Sequence, residues 1–275
     1  MIDLAARRRT FRQLHEHGCF VIPNPWDIGS ARLLASLGFK ALATTSGGFA
    51  FSRGVPDGAV PRDEMLAHIR EIVESTDLPV NADFQAAYAD EPEAVAANVR
   101  LCVDTGVAGL SIEDMKKDAS LYDFTLAVER VRAARAAIDA SGAPVLLTAR
   151  CECFVVGHAD PIREACRRFA AFTEAGADVL FAPGSLDGEA ISAIVAAASP
   201  QPINVMATSK NRSVAELAAL GVRRVSLASA LARAALGGFL RTAREIAERG
   251  TFGGFETAEP SADLNRFFRN REWRK

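Results

Sequence analysis

One pattern recurs along the chain: an amphipathic helical stretch ends at a glycine, and a short apolar run follows. The pattern occurs at Gly38, Gly106, Gly176 and Gly221. Glycine ends a helix at low cost because, without a Cβ, it readily adopts the left-handed backbone conformation. The apolar runs are typical of strands buried on both faces, as in a parallel sheet. Repeated helix–glycine–strand units therefore predict an α/β fold with parallel strands.

Eight apolar runs lie along the chain, and we interpret each as a short parallel strand. They occupy residues 20–22, 41–43, 78–80, 109–112, 145–147, 179–181, 203–205 and 224–227. Helical patterns separate them at residues 28–37, 62–75, 92–104, 126–140, 161–175, 188–198 and 214–219. Eight units in 275 residues predict a (β/α)8 TIM barrel in one domain spanning residues 1–275. A doubly wound open sheet is the alternative fold.

The composition argues against two classes of binding partner, nucleic acid and membrane. Lysine and arginine number 32 against 34 aspartates and glutamates, so no basic field favours nucleic acid. No apolar run is long enough for a transmembrane helix, and the N-terminus has no apolar signal-peptide core. The five cysteines form no CxxC pair, which is typical of a reducing compartment. We therefore expect a cytoplasmic protein that binds neither nucleic acid nor membrane.

The C-terminal helical extension, residues 241–275, carries more aromatic side chains than eight βα units require. They are Phe252, Phe255, Phe267, Phe268 and Trp273. Clustered exposed aromatics usually mark an interface, so we expect this extension to contact another subunit of a homo-oligomer, a dimer or a tetramer. The alternative is an extension that folds back across the bottom of its own barrel.

Active sites of (β/α)8 barrels lie at the C-terminal ends of the strands. Asp83 and Glu113 follow neighbouring strands, and their hard oxygen ligands suit Mg²⁺. Arg150 follows strand five, where its planar guanidinium can bind a carboxylate. The other candidate residues at strand ends are Asn24, Trp26, Asp27, Thr44, Thr45, Ser46, Gly47, Gly48, Gln85, Asp114, Thr148, Glu152, Asn204 and Ser226. Together they predict a pocket for a small acid whose oxygens also contact a metal ion.

Several of these residues also have purely structural interpretations. Ser46-Gly47-Gly48 offers a hydroxyl and open backbone N–H groups to an anion, but the same sequence is typical of a turn. Asp114 fits a helix N-cap as well as a ligand. No GxSxG, HExxH or GxxxxGK motif marks a nucleophile, a zinc site or a phosphate loop. The histidines in helical patterns, His15, His17 and His68, are expected at the solvated surface. The thiols of Cys151 and Cys153, which flank Glu152, are expected near the mouth of the pocket.

Six segments occur together and in order along the chain. They are Pro23-Asn24-Pro25-Trp26-Asp27, ATTSGG at residues 43–48, Asp57-Gly58, Ala82-Asp83, Ser111-Ile112-Glu113-Asp114 and Thr148-Ala149-Arg150. Through them the chain resembles the isocitrate lyase/phosphoenolpyruvate mutase superfamily over residues 11–236. The resemblance implies a (β/α)8 barrel and tetramers built from helix-swapped dimers. It also implies Mg²⁺ as the cofactor and a small 2-oxo acid, or its enolate, as the substrate.

Matching positions in the superfamily assign roles on the substrate side. The segment Ser46-Gly47-Gly48 matches the one that holds the substrate carboxylate and carbonyl. Arg150 matches the carboxylate-binding arginine and Glu152 its acidic neighbour, and both are expected to be catalytic. Asn204 matches a polar residue that contacts substrate, and Trp26 would shape the pocket from strand one.

On the metal side, Asp83 and Glu113 match superfamily acids that act mostly through waters, and Asp83 is also expected near the substrate. Asp57 matches a further acid near the metal and is expected to be catalytic. The superfamily usually has a second acid where this chain has Gln85, and a glycine where it has Ala87. An amide oxygen can still ligate, so Asp83, Gln85 and Glu113 are the expected ligands. Mg²⁺ would be held weakly because one negative charge is missing.

The loop after strand four, residues 115–122, also departs from the superfamily. Superfamily lyases carry a cysteine here that acts as acid and base, and this loop has neither that cysteine nor a histidine. Lys116, Lys117 and Tyr122 are left open as its replacement.

The implied activity is that of a Mg²⁺-assisted carbon–carbon lyase or decarboxylase acting on a small 2-oxo acid through an enolate. Decarboxylation needs mainly an electron sink, so an oxaloacetate decarboxylase-like reaction is the least demanding option. Ser46 and the glycine N–H groups would stabilise the oxyanion. The alternative is a 2-oxo acid binding protein of the same superfamily with little or no lyase activity.

Overall fold

A computed structural model describes residues 3–208 and 213–273 of the chain. Its strands are β1 (Phe20–Ile22), β2 (Leu42–Ala43), β3 (Val80–Asp83), β4 (Gly109–Glu113), β5 (Leu146–Arg150), β6 (Val179–Phe181), β7 (Ile203–Met206) and β8 (Arg224–Ser226). They form one parallel sheet in which β2 to β8 lie side by side in chain order and β8 pairs with β1. Between β1 and β2, the N–H of Ala43 donates to the carbonyl of Pro23 at 3.0 Å, which nearly closes the sheet. The predicted (β/α)8 barrel is confirmed, and the doubly wound alternative is wrong.

Helices alternate with the strands around the barrel. They are α1 (Leu4–Leu14), α2 (Ile28–Ser36), α3 (Ser46–Ser52), α4 (Arg62–Ser75), α5 (Pro92–Val103), α6 (Phe124–Ala140), α7 (Pro161–Glu174), α8 (Gly188–Ala198), α9 (Val214–Ala219), α10 (Ala230–Arg249) and α11 (Ser261–Asn270), with a 3-10 helix at Gly253–Thr257. The helices predicted between the strands are confirmed to within two residues at each end. Gly38, Gly106, Gly176 and Gly221 have φ between 85° and 98°, so each ends its helix as expected. No helix in the described part of the chain is long and apolar enough to span a bilayer.

Two strands differ from their predicted bounds by more than one residue. β3 begins at Val80 rather than at residue 78 and continues to Asp83, and β5 continues to Arg150 rather than ending at residue 147. The polar side chains at these positions ended the apolar pattern in the sequence. The backbone ladder nevertheless continues, pairing Asp83 with Ser111 and Arg150 with Glu113, because ladder bonds do not depend on apolar side chains.

Helix α1 closes the bottom of the barrel, where Phe11 is fully buried against a small cluster: Ile22, Ala41, Ala43, Ala108 and Leu146. The predicted solvent exposure of His15 is wrong, because it lies edge-on between Phe11 and Phe20. His68 is also buried and stacks on Phe49 with 3.8 Å between ring centres. Burial lowers the pKa of His15 to about 3 and that of His68 to about 4, so both are neutral.

The aromatic side chains of the C-terminal extension include both buried and exposed ones. Trp273 is buried, and the Arg32 guanidinium from α2 lies 4.4 Å from its ring centre. Phe239 of α10 and the phenylalanines Phe252 and Phe255 are 57–67% exposed. The role of residues 241–275 at a subunit interface, and the exchange of helices between subunits, stay predictions.

Gly109→Ala is expected to destabilise the barrel by about 1–3 kcal/mol. An added Cβ at Gly109 would lie 2.6 Å from Cε1 of Phe11 and 2.7 Å from Oδ1 of Asn81, both of which are packed inside the barrel. The matched control is Gly238→Ala in α10, where the added Cβ meets Arg241 at 3.7 Å and alanine improves helix propensity. Equilibrium unfolding in urea measures both, and a Gly109→Ala variant as stable as the wild type would contradict this account of the barrel bottom.

Candidate active site

A cavity of about 960 Å³ opens at the C-terminal ends of the strands. Most of the predicted site residues line it: Ser46, Gly47, Asp57, Asp83, Gln85, Glu113, Arg150, Glu152 and Asn204. Trp26 and Gly48 are not among the lining residues. A Cβ at Gly48 would lie 3.2 Å from Cβ of Trp26 and 3.3 Å from Cβ of Ala232, so these residues pack against one another beside the cavity.

Arg150, at the end of β5, is the centre of the site. Its guanidinium lies 2.8 Å from an oxygen of Asp83, 3.0 Å from Glu113 and 2.9 Å from Glu152. Glu113 faces it across the β4–β5 ladder, and Asp83 comes from β3. Burial opposes the charge on Arg150, but the three carboxylates outweigh it and raise its pKa. Arg150 is therefore a permanent cation surrounded by three acids.

Ser46 binds a protein carboxylate in this structure. Its backbone N–H and its Oγ each donate to Oδ2 of Asp83 at 2.9 Å. Ser46 is the first residue of α3, whose N-cap is Thr45, and the first N–H groups of a helix have no partner within it. A Cβ at Gly47 would lie 2.8 Å from Oδ2 of Asp57, so glycine allows this acid to approach the helix. The segment expected to hold the substrate thus also orients the acids of the cavity.

The carboxylates carry more negative charge than Arg150 neutralises. Burial raises the pKa of Glu113 to about 8; Arg150 opposes this shift, while Glu152, Asp83 and Asp57 reinforce it. Burial also raises the pKa of Asp57 and of Glu152. A site that favours a protonated carboxyl group at neutral pH also favours a bound cation, since either removes negative charge.

The donor set suits a hydrated magnesium ion rather than one coordinated wholly by protein. Within residues 3–208 and 213–273, no three Asp, Glu, His or Cys side chains are grouped closely enough to hold a metal. Mg²⁺ usually keeps several waters and uses one or two carboxylates. Asp83, Gln85 and Glu113 line one cavity with hard oxygen donors, so they fit Mg²⁺ held largely through water.

The backbone that carries Gln85 is strained. Gln85, Ala87 and Tyr88 have φ of 49°, 55° and 56°, a region that residues other than glycine seldom adopt. The carbonyl of Gln85 accepts from the N–H of Glu113 at 2.9 Å, and that of Ala87 accepts from the Asn98 side chain at 2.8 Å. These bonds fix the segment, because strain of this kind persists only where the surroundings hold it.

Asp114 is not a helix N-cap in the structure. One of its oxygens accepts from the N–H of Glu152 at 2.8 Å, and the other accepts from the Arg168 guanidinium at 3.0 Å. Arg168 also donates to the carbonyl of Tyr122 at 3.0 Å. This buried pair therefore fixes both Glu152 and the end of the loop at residues 115–122. The two thiols predicted near the mouth are instead fully buried: Cys151 and Cys153.

Of the three loop residues that could replace the acid/base cysteine, Tyr122 is already bonded to other residues of the protein. Its hydroxyl donates to Asp90, and the Arg130 guanidinium lies 4.0 Å from its ring centre. Burial and the bond to Asp90 raise the pKa of Tyr122 to about 12, so the hydroxyl keeps its proton near neutral pH and directs it at Asp90. Lys116 and Lys117 line the cavity, so these two are the loop side chains left for proton transfer.

The cavity also reaches residues deeper in the barrel that the sequence analysis did not assign to the site. Asn81, Ser111 and Arg224 line it from within β3, β4 and β8. Asn81 and Ser111 each lie two positions before a predicted site acid. Side chains alternate along a strand, so residues two apart face the same side. Applied to polar residues inside the predicted strands, that spacing would have found them.

Comparison with known proteins gives consistent matches over most of the chain. The family model for phosphoenolpyruvate phosphomutase matches residues 11–247. A solved structure from Burkholderia cenocepacia J2315, described as a "putative lyase/mutase", has a TM-score of 0.93 and 47% sequence identity over 97% of both chains. An uncharacterized protein of Mycobacterium tuberculosis is 30% identical over 240 residues, which are 87% of this chain and 89% of that protein.

Two further relatives have assigned activities. Oxaloacetate decarboxylase of Paraburkholderia xenovorans (strain LB400) is 28% identical over 242 residues, 84% of this chain and 78% of that protein. Oxaloacetate acetylhydrolase in complex with its product oxalate has a TM-score of 0.84 and 26% identity over 98% of this chain and 96% of that one. Both of these relatives act on oxaloacetate, a small 2-oxo acid.

Glu113→Gln is expected to change how stability depends on pH. Because the pKa of Glu113 is raised to about 8 in the folded state, the folded chain holds a proton that the unfolded chain has already released. The free energy of unfolding of the wild type should therefore fall, relative to that of Glu113→Gln, between about pH 5 and about pH 9, by on the order of a few kcal/mol.

Urea unfolding of both proteins across this range measures the difference. Glu16→Gln, at an exposed position just after α1, is the control and should follow the wild type. Parallel curves for the wild type and Glu113→Gln would show that the pKa of Glu113 is not raised by its surroundings.

Proposed function

The chain belongs to the phosphoenolpyruvate phosphomutase family, and on that basis we propose that it is a lyase or decarboxylase acting on a small 2-oxo acid through an enolate. Oxaloacetate decarboxylation is the reaction we favour. The observation that carries the proposal is Arg150, a cation that is only 16% exposed and lies in an acid-rich cavity at the C-terminal ends of the strands. A guanidinium in such a place is the side chain best suited to bind a carboxylate through two parallel hydrogen bonds. The similarity to an oxaloacetate decarboxylase over most of the chain supports the substrate class.

Substrate binding has to compete with the acids that already surround Arg150. The ion pair of Glu113 with Arg150 is the one most easily weakened, since the Glu113 pKa of about 8 allows it to be protonated near neutral pH. A proton on Glu113, or a cation beside it, leaves part of the Arg150 charge free for the substrate carboxylate. Glu152 keeps the guanidinium oriented, because it accepts from both Nε and Nη2 at 2.9 Å.

Asp83, Gln85 and Glu113 are the residues that would hold Mg²⁺. A bound Mg²⁺ would supply Lewis-acid polarisation of the 2-oxo oxygen, which stabilises the charge that develops as a carbon–carbon bond breaks. The chain's own residues fix the geometry of this side of the cavity: Asp83 is held by Ser46 at 2.9 Å and by Arg150 at 2.8 Å.

The remaining groups would stabilise negative charge or transfer protons. The Ser46 hydroxyl can stabilise an oxyanion in the cavity, as a donor positioned before the reaction begins. Asp57, whose pKa is raised by burial, lies beside Gly47 as a further acid of the site. Lys116 and Lys117 line the cavity and would return a proton to the enolate carbon. Decarboxylation suits this set because it needs no strong base to start.

A second candidate function is 2-oxo acid binding with little or no turnover. It is favoured by the neutral Gln85 at the metal side and by the commitment of Tyr122 to Asp90, which leaves the loop without a tyrosine acid. The two functions share the pocket and Arg150, and they differ in whether bound substrate is consumed.

Gln85→Glu is expected to tighten Mg²⁺ binding roughly tenfold or more in the presence of oxalate, because it adds one negative charge to the donor set. Titration calorimetry with and without oxalate measures the affinity. Gln13→Glu on the exposed face of α1 is the control, since it makes the same change of charge far from the cavity. An unchanged affinity in Gln85→Glu would place the metal elsewhere.

The proposed reaction is tested by following the loss of oxaloacetate in Mg²⁺ buffer, with the uncatalysed reaction subtracted. Arg150→Lys keeps a positive charge among the acids but cannot form the forked pair, so the rate should fall at least about 100-fold while circular dichroism stays unchanged. Binding of oxaloacetate without turnover by the wild type would favour the binding-protein function. Neither binding nor turnover would overturn both.

A further inference from the structure

Arg224 is a second buried arginine in the same cavity, deeper in the barrel than Arg150. It lies on β8, is 3% exposed, and lines the cavity together with Asn204 and Ser226. Its side chain crosses the barrel interior, because it contacts Thr148 on β5 as well as Asn204 on the neighbouring β7.

The partners of Arg224 are all neutral. Nε donates to Oδ1 of Asn204 at 2.9 Å, and Nη2 donates to Oγ1 of Thr148 at 3.1 Å. Nη1 lies 3.3 Å from Nε2 of His15, an imidazole that burial and Arg224 itself keep uncharged. A guanidinium has five N–H groups. Two of those on Arg224 are therefore left without a partner among the described residues.

Other arginines of low exposure have carboxylate or backbone carbonyl partners, and Arg224 has neither in the part of the chain that the structure describes. Arg150 is surrounded by three carboxylates, Arg168 pairs with two, and Arg7 pairs with Asp77. Arg130 donates to three backbone carbonyls. Within residues 3–208 and 213–273, no aspartate or glutamate forms an ion pair with Arg224. Buried charges are normally paired, because an uncompensated one is costly. Burial lowers the pKa of Arg224 to about 9, which still leaves it charged at neutral pH.

We propose that the deep end of the cavity, at Arg224, Asn204 and Ser226, is a binding site for a small anion of the carboxylate type. The guanidinium supplies the positive charge and two unused donors, and the cavity connects this site to the mouth of the barrel. A bound anion would provide the counter-charge that the chain does not.

The distance from Arg150 indicates one source of that anion. Thr148 and Arg150 are two residues apart on β5, a rise of about 6.6 Å, and Arg224 contacts Thr148. The second carboxylate of a small dicarboxylic acid held by Arg150 would lie toward Arg224, an extension that rests on the proposed function. A separate small anion would occupy the site independently of that function.

Crystals of the wild type soaked in sodium bromide test the site directly, because bromide has an anomalous signal. The expected result is a bromide peak within hydrogen-bonding distance of the Arg224 guanidinium. Peaks confined to the protein surface would overturn the proposal.

Thermal unfolding tests the same probe in solution. Bromide should raise the unfolding midpoint of the wild type and of Arg150→Lys equally, since Arg150 belongs to the upper site. Arg224→Met should lose this increase. Asn204→Asp is a second, nearly isosteric variant that places a carboxylate beside Arg224, and it should lose the increase because the charge is then paired. An equal bromide effect in the wild type and in a folded Arg224→Met or Asn204→Asp would overturn the proposal.

Competition distinguishes the two sources of the anion. Displacement of bromide by 3,3-difluorooxaloacetate but not by pyruvate would show that the site holds the second carboxylate of a diacid. The affinity for that diacid should then fall at least about 30-fold in Arg224→Met. Retention of bromide beside the diacid would show a separate anion site.

Discussion

The ion cluster around Arg150 is the interaction on which the rest of the site depends. A cation that cannot be deprotonated lies inside the barrel, and three carboxylates from β3, β4 and the segment after β5 contact it. Such a cluster is stable only if each member is held in place, because breaking one pair leaves a buried charge uncompensated. The surrounding structure supplies that restraint: Ser46 fixes Asp83, and Asp114 fixes Glu152.

The same cluster explains why the site can take up a proton or a cation. Four acids share one arginine at the upper level, and burial raises the pKa of Glu113 to about 8. The excess negative charge can be relieved by a proton or by a cation, and each outcome releases Arg150 toward a substrate carboxylate. One layer below, Arg224 presents the opposite imbalance, a positive charge with neutral partners. A proton or cation would therefore balance the charge at the upper level of the cavity, and an anion would balance it at the lower level.

Much of the fold was predictable from the sequence because its signals are local. Each glycine at a helix end and each apolar run depends on a few neighbouring residues, and the barrel topology then places all strand ends at one rim. The same topology is why Asp83, Glu113 and Arg150 could be assigned to one cavity. Gly48 does not line the cavity because α3 begins at Ser46, and its first turn carries Gly48 away from the cavity wall and toward Trp26.

Other features depended on contacts between distant parts of the chain. The burial of His15 follows from α1 closing the barrel bottom, which an amphipathic pattern does not reveal. Arg224 was hidden inside a run interpreted only as a buried strand, and its unpaired charge is visible only once its neighbours are known. The saturation of Arg150 by protein acids likewise required the three-dimensional arrangement.

A crystal structure of the protein grown with oxalate and Mg²⁺ would test directly whether Arg150 binds the substrate carboxylate. We expect oxalate in the barrel cavity with one carboxylate in a forked pair with Arg150, and with at least one of Asp83, Glu113 and Glu152 moved away from the guanidinium. Oxalate bound outside the cavity, or an Arg150 that keeps all three acids while oxalate binds elsewhere in it, would contradict the account.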